Sequence, residues 1–262
     1  LPVLKKTPYA SLALADLLTH RSGLIDWYPF FRHTENWLDR VANHPEEILI
    51  SKPRESVRYS DVGFLLLGAV LATSCGSLEK AFQEEVVKPL GLKELSWKPT
   101  GDVVATEWDL WRERLVQGEV FDENTAYIGP EQSGHAGLFG TARGTAVFAK
   151  AWLEAVQGKS QWLSAATAAT FTSKQQGPSG STWGLGWDTR SRMGSSAGKL
   201  FSSSAFGHLG FPGTSIWIDP EENGVCVFLT NRVHPSRSDK RIRQLRPKVH
   251  DQVFEYWRSI SD

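Results

Sequence analysis

Through the first two thirds of the chain, apolar residues recur at helical spacing. In Ser11–Thr19, Leu14, Leu17 and Leu18 share one face, with Ser11 as a candidate N-cap and Gly23 as a stop. The stretch from Asp61 to Ser74 is apolar on nearly every side and predicts a buried helix ending near Gly76. Ser77 opens another helix, closed by Pro89 and Gly91. Val147, Phe148, Ala151, Trp152 and Ala155 predict a helix over 141–156, with Thr141 as its cap and Gly158 at its end. Residues 43–58 and 175–181 read as irregular.

The texture changes near residue 180. Thr214–Asp219 alternates with period two, placing Ile216 and Ile218 on one face. A Pro220–Gly224 turn and the apolar run Val225–Thr230 complete an antiparallel hairpin. A final helix can start at Pro247, where a missing N–H costs nothing, with Val249, Val253, Phe254 and Trp257 as its packing face. The pattern predicts an α+β chain: residues 1–175 mainly helical, residues 176–262 an antiparallel sheet with a C-terminal helix.

Composition narrows the functional classes. The 262 residues carry 29 Lys+Arg against 29 Asp+Glu, so net charge is zero, which argues against a dedicated nucleic-acid binder. Two cysteines, Cys75 and Cys226, cannot staple a chain of this length, so stability must come from an apolar core. The longest apolar run, Val62–Ala72, is about half the ~20 residues of a membrane span, so no transmembrane segment is expected. The only methionine is Met193 and the first residue is Leu1, so a processed or truncated product of something longer is expected. No helical His pair with an intervening Glu and no Cys-x-x-Cys occurs, so neither metal nor other cofactor is expected. Gly158-Lys159-Ser160 has Leu153 where a phosphate loop needs its first glycine. Arg232 to Lys248 is strongly basic and reads as a solvated face.

Three segments carry chemistry. Tyr59-Ser60-Asp61 opens the apolar helix, where the helix end favours negative charge and a Tyr can serve as proton acceptor and donor. Ser60 or Asp61 is equally a good N-cap. Phe206–Thr214 sets His208 among glycines that let backbone approach a ligand, and such an edge can offer an N–H to a developing oxyanion. Ser133–Ala142 is a Gly-rich turn containing His135 that leads into a helix.

Together these residues resemble the β-lactamase-related serine hydrolases: class C β-lactamases, penicillin-binding D-Ala-D-Ala carboxypeptidases and related esterases. Leu17-Leu-Thr-His-Arg-Ser-Gly-Leu24 is similar to that family's Leu-Leu-Thr-His-Thr-Ser-Gly-Leu signature. Tyr59-Ser-Asp61 resembles its Tyr-x-Asn element, Pro89-Leu-Gly91 its Pro-Leu-Gly-Met turn, and His208-Leu-Gly210 its Lys-Thr-Gly or His-x-Gly element. Phe121–Ala126 with Gly134–Ala142, and Leu229–Pro235, match further stretches in family order.

The resemblance implies an antiparallel sheet flanked by helices beside an all-helical region, with one cleft between them. It also implies an acyl-enzyme mechanism on a lactam, ester or peptidoglycan-type peptide, and a periplasmic, secreted or envelope setting. By position, Tyr59 would shuttle the proton and Asp61 would orient substrate or a lysine. His208 would serve the proton network or bind a substrate carboxylate, and the Phe211 N–H would be an oxyanion donor. Leu209, Gly210, Ser60 and His135 would line the substrate site.

The family nucleophile, the Ser of Ser-x-x-Lys, belongs upstream of Leu17, and residues 1–16 contain no such element. Ser77…Lys80 and Ser196…Lys199 match it but follow Tyr59, the wrong order. The early strands and the nucleophile helix are therefore expected on a segment outside this chain, which is then an expected partner, and the chain alone is expected to be inactive. The alternative is a non-catalytic β-lactamase-like binding module or inactive fragment. Asp61 in place of Asn, and His208 in place of Lys, point toward carboxypeptidase-like or esterase-like members.

Overall fold

The computed structural model describes residues 1–99 and 101–261. They form two compact units: Leu1–Pro89 with Glu119–Leu138 and Gln175–Ser181, and Leu90–Gly118 with Phe139–Lys174 and Thr182–Asp262. The sequence-based division at 175/176 is contiguous, whereas these units alternate along the chain.

The first unit is helical: α1 (Leu14–Leu18), α2 (Trp37–Asn43), α3 (Pro45–Ile48), α4 (Asp61–Cys75), α5 (Leu78–Phe82), then a π turn into α6 (Lys88–Leu90), and later α7 (Glu123–Ile128). α1 starts beyond the predicted cap. Ser11 closes a preceding 3-10 turn, and the carboxylate of Asp16 reaches back to the Ala13 N–H at 2.9 Å. Leu14, predicted on the buried face, is 54% exposed, while Leu17 is buried. Asp16 is itself fully buried and pairs with Arg54 at 2.6 Å and Arg21 at 3.0 Å. Burial pushes its carboxyl up, but those partners and the Ala13 N–H hold it below the ordinary range. Arg21, which stands where the signature has Thr, is thus a structural partner.

α4 forms as its pattern predicts. Ser60 caps it, its Oγ accepting the Gly63 N–H at 3.1 Å, and Gly76 ends it at φ +90°. Val62, Leu65 and Leu66 are buried with Leu17, Leu24, Phe30 and Ile48, each fully buried aliphatic side chain contributing about 2 kcal/mol. Two glycines fix what lies over this helix. A Cβ on Gly134 would stand 2.3 Å from the Phe64 carbonyl oxygen, and one on Gly68 would stand 2.8 Å from the Gln132 oxygen and the Gly134 nitrogen. Loop 132–134 therefore lies directly on α4, and His135 follows it.

Every strand assigned among the described residues falls in the second unit. β1 (Leu95–Ser96) pairs with β4 (Phe139–Gly140), and β2 (Ala105–Asp109) with β3 (Arg114–Gln117). The main antiparallel sheet runs β5 (Asp188–Thr189), β6 (Phe206–Leu209), β7 (Ser215–Asp219), β8 (Gly224–Phe228). The predicted hairpin is β7–β8, with Ile216 opposite Val227 and Ile218 opposite Val225. The hydrophobic pattern does not predict β2–β3, because a side chain makes its turn: Asp109 accepts the Trp111 and Arg112 N–H groups at 2.7 and 2.8 Å and binds the Arg112 guanidinium.

α8 (Ala142–Val156) is capped by Thr141, whose Oγ1 accepts the Gly144 N–H at 3.0 Å. It brings Ala149, Trp152 and Leu153 into one core with Phe206, Ile218 and Trp187, beside α9 (Ala165–Thr172). α10 (Ile242–Ser261) begins before Pro247, which lies inside it and forgoes one backbone bond. Its buried face is Ile242, Arg246, His250 and Phe254, four residues apart, whereas Val253 and Trp257 are each 41% exposed. The predicted face misses because half of the real one is polar. His250 Nδ1–H donates to the Ser196 carbonyl at 2.9 Å, so its Nε2 accepts the Ser215 hydroxyl at 3.0 Å. Burial and the nearby Arg246 push this imidazole down, so it stays neutral.

Among the described residues no single helix is long and apolar enough to cross a membrane. α4 with Leu78–Leu90 has the length and composition only across an 81° bend.

Candidate active site

Tyr59 and Asp61 flank the cap residue of α4, so the turn that starts the helix points both side chains from one backbone corner. The Asp61 N–H donates to the Asp26 carbonyl at 2.8 Å, and the Tyr59 hydroxyl donates to the Asp61 carboxylate. Although 46% of the Tyr59 surface is exposed, its hydroxyl environment is desolvated. Burial, the Asp61 charge and that hydrogen bond together push the phenol above its usual range. Asp61 is pushed up to about 6, chiefly by burial, with Asp122 and Asp26 adding to the shift and His135 and the Tyr59 hydroxyl opposing it. A protonated phenol beside a carboxyl that titrates near neutrality is a proton donor coupled to a proton acceptor.

His20 backs this pair. Its ring centroid lies 4.4 Å from Tyr59 and 5.1 Å from Phe64. Nδ1 accepts the Ser60 N–H at 3.1 Å, and the His20 carbonyl accepts the Arg58 N–H at 2.8 Å. The residue is 1% exposed and takes φ +54°. The histidine of the Leu-Leu-Thr-His signature thus braces the Tyr59 backbone from behind.

Ser60 and His135, read as substrate-lining, have their polar atoms engaged. Ser60 is buried, and its hydroxyl donates to the Ile25 carbonyl at 2.6 Å while capping α4. His135 holds the Ser133 hydroxyl at 2.8 Å through Nδ1 and Asp122 at 3.1 Å through Nε2, with its side chain 5% exposed. Asp122 caps α7, its carboxylate accepting the Thr125 N–H at 2.7 Å. Asp122 carries no apolar periodicity, so the sequence reading missed it; its signal is the Asp-x-x-Thr capping pattern.

In the second unit, β6 carries the His208-Leu-Gly element antiparallel to β7, with His208 opposite Ile216 and Leu209 opposite Ser215. Nδ1 of His208 donates to the Leu209 carbonyl at 2.8 Å, which leaves Nε2 as the basic nitrogen. Burial pushes His208 down, so the ring is neutral at neutral pH. Gly207 and Gly210 are required by contact: a Cβ on either would stand 2.2 Å from the Ile216 oxygen or 2.0 Å from the Thr214 Oγ1. Phe211 sits at the tip, 57% exposed. Arg232, read from the sequence as part of a solvated basic tail, clamps that tip. Its N–H donates to the Pro212 carbonyl and its Nε to the Phe211 carbonyl, both at 2.8 Å, and its guanidinium lies 4.4 Å from the Phe211 ring centroid.

His44, Glu46 and Glu47 form the one group among the described residues whose ligand atoms lie within 4.8 Å of one another. Arg40 already neutralises Glu47 at 2.7 Å, and Tyr28 hydrogen-bonds it. A guanidinium at that point competes directly with a metal ion.

Comparison with known proteins sets these geometries in a family. The Beta-lactamase family model matches residues 1–250, and the chain belongs to that family. Curated relatives named "Putative D-alanyl-D-alanine carboxypeptidase" include one from Salmonella gallinarum, 29% identical, and one from Escherichia coli K12, 28% identical. The matches cover 93% and 94% of this chain, which spans about 61% of each relative's length. Solved structures with the same fold include a β-lactamase from Mycobacterium bovis, 23% identical with TM-score 0.62, matching 94% of this chain and 74% of that one. Unliganded simvastatin synthase from Aspergillus terreus is 17% identical with TM-score 0.65, matching 94% and 69%. The fold is α+β of the β-lactamase/transpeptidase type.

Proposed function

We propose that this chain supplies the proton-transfer and oxyanion-binding groups of a serine acyl hydrolase of the D-Ala-D-Ala carboxypeptidase, β-lactamase or esterase kind. The observation that carries the reading is the Tyr59 hydroxyl hydrogen-bonded to Asp61 across the cap of α4, where burial pushes the carboxyl up to about 6.

In the reaction, the serine Oγ attacks the acyl carbon and loses its proton as the leaving group departs. As Oγ attacks, Tyr59 takes the serine proton while its own proton moves to the Asp61 carboxylate, and the same relay run in reverse delivers that proton from Asp61 through Tyr59 to the leaving group. The raised pKa of Tyr59 keeps the phenol protonated at rest, so the net proton acceptor of the relay is Asp61. The developing oxyanion is assigned to the Phe211 N–H, on a tip held by Arg232, and neutral His208 to a substrate carbonyl or carboxylate through Nε2. Leu209 and Gly210 would line the acyl group.

The nucleophile is assigned to a Ser-x-x-Lys element outside these 262 residues. Of the two matches within them, Ser77 is spent as the α5 cap, accepting the Lys80 N–H at 2.9 Å. The proposed substrate is a D-Ala-D-Ala-type peptide or a related lactam or ester, in the cell envelope or outside the cell, as the relatives' names support.

Turnover of a D-Ala-D-Ala peptide and of a p-nitrophenyl ester by the full-length gene product tests this. Hydrolysis that Tyr59→Phe lowers about 100-fold or more supports the assignment; hydrolysis unchanged by that substitution overturns it.

A further inference from the structure

Beyond the groups that would touch substrate, the first unit contains a closed circuit of side chains that the proposed reaction does not use. His135 faces the Ser133 hydroxyl through Nδ1 at 2.8 Å and Asp122 through Nε2 at 3.1 Å. Ser133 Oγ lies 2.8 Å from Thr125 Oγ1, and the Thr125 hydroxyl in turn hydrogen-bonds the Asp122 carboxylate. Ser133 is 4% exposed and Thr125 fully buried.

Counting donors settles the protonation state that satisfies the circuit. With an imidazolium, Nε2–H donates to Asp122 and Nδ1–H donates to Ser133. The Ser133 hydroxyl then donates to Thr125, and the Thr125 hydroxyl donates to Asp122, so each donor has one acceptor. A neutral ring protonated on Nε2 has Nδ1 accept from Ser133, so Ser133 accepts from Thr125 and Asp122 loses the Thr125 hydroxyl; a neutral ring protonated on Nδ1 turns the Nε2 lone pair against the Asp122 carboxylate. With Asp122 held as a carboxylate, only the cation fills every position, and a buried, satisfied network favours the state that fills it.

The circuit is aimed by backbone. Loop 132–134 rests on α4 at the Gly68–Gly134 contact, so the residue after it is carried against the helix that Asp61 begins. The groups that act on the Asp61 charge are Tyr59 and Asp26 from its own corner, and Asp122 and His135 from the circuit. Of the charge interactions among them, His135's is the one that lowers the Asp61 carboxyl.

We propose that Asp122, Ser133 and Thr125 hold His135 as a buried imidazolium whose task is to keep Asp61 a carboxylate, making His135 and Asp122 positioning residues for the Tyr59–Asp61 couple. His135 does not touch substrate; it acts through Asp61. The opposing shifts agree in direction: Asp122 and Asp61 raise His135 against its burial, and His135 lowers Asp61 against its own. The functional meaning of the circuit rests on the acyl-transfer reading, but its electrostatics do not, so the test needs no turnover.

The experiment is a carboxyl 13C NMR titration of Asp61, assigned with Asp61→Asn, in the wild-type chain, His135→Gln and Asp122→Asn, alongside 15N titration of the His135 ring. Gln keeps a donor and an acceptor at the site while removing the charge. The expected result is an upward shift of the Asp61 midpoint by about one pH unit in His135→Gln, and a His135 ring doubly protonated at pH 7 in the wild type but neutral in Asp122→Asn. A merely structural His135 would leave Asp61 unmoved in folded His135→Gln, which overturns the proposal. A neutral His135 at pH 7 in the wild type also overturns it, and that second readout decides the matter even if a variant fails to fold.

Discussion

Asp122 serves two structures with one carboxylate: Oδ1 accepts the Thr125 N–H at 2.7 Å as the cap of α7 and lies 3.1 Å from Nε2 of His135. Burial pushes the Asp122 carboxyl up, but His135 and Thr125 hold it below the ordinary range. Asp122→Ala therefore removes a cap and strands a buried cation, and should cost about 2–4 kcal/mol in urea unfolding. Asp122→Asn, which keeps the cap, should cost about half as much.

Asp61 makes stability depend on pH in the opposite sense from a typical paired acid. Its folded pKa, about 6, lies above that of an aspartate in an unfolded chain, about 3.9, so the folded state binds the proton more tightly. Its contribution is fully present below about pH 4 and is lost as pH rises toward 6 and beyond. Asp61→Asn should then stabilise the chain by about 1–2 kcal/mol at pH 8, allowing for partial solvent access, and change it little at pH 3.5. Melting temperatures at the two pH values check this.

The Gly68–Gly134 contact is tested by adding one methyl group. Gly134→Ala drives Cβ toward the Phe64 carbonyl, a backbone atom that can yield only if α4 or the loop moves. A loss of about 2–4 kcal/mol is expected, with the chemical shifts of His135 and Asp61 displaced together.

Much of this was legible beforehand and some was not, for identifiable reasons. α4 announces itself because Ser60, Gly76 and an uninterrupted apolar run agree at every level, and β7–β8 because alternation and turn chemistry agree. Elements built by polar side chains escaped the hydrophobic pattern: the Asp109-directed turn of β2–β3, the Asp16 cap of α1, and the α10 face made by Arg246 and His250. The site divides in the same way. Tyr59, Asp61 and His208 stand in linear motifs, whereas Asp122 and Arg232 act on partners 13 and 21 positions away, a pairing only the fold creates.

Arg232 is expected to matter through the backbone it holds. Arg232→Ala removes the hydrogen bond to the Phe211 carbonyl and the cation over its ring. The Gly210 and Gly213 N–H groups, bonded within that loop at 2.8 and 3.0 Å, should then exchange about tenfold faster with solvent, equivalent to about 1.4 kcal/mol of local opening. Arg232→Lys, which keeps charge but loses the fork, should fall between.

The most direct measurement is the intact mass of the full-length gene product after brief exposure to a penicillin or an activated ester, compared with its Tyr59→Phe variant. If Tyr59 and Asp61 serve a serine acyl transfer, the wild type gains one acyl adduct on the serine of an upstream Ser-x-x-Lys element, and Tyr59→Phe gains it about 100-fold more slowly. No adduct, or one formed equally fast in Tyr59→Phe, would contradict that role.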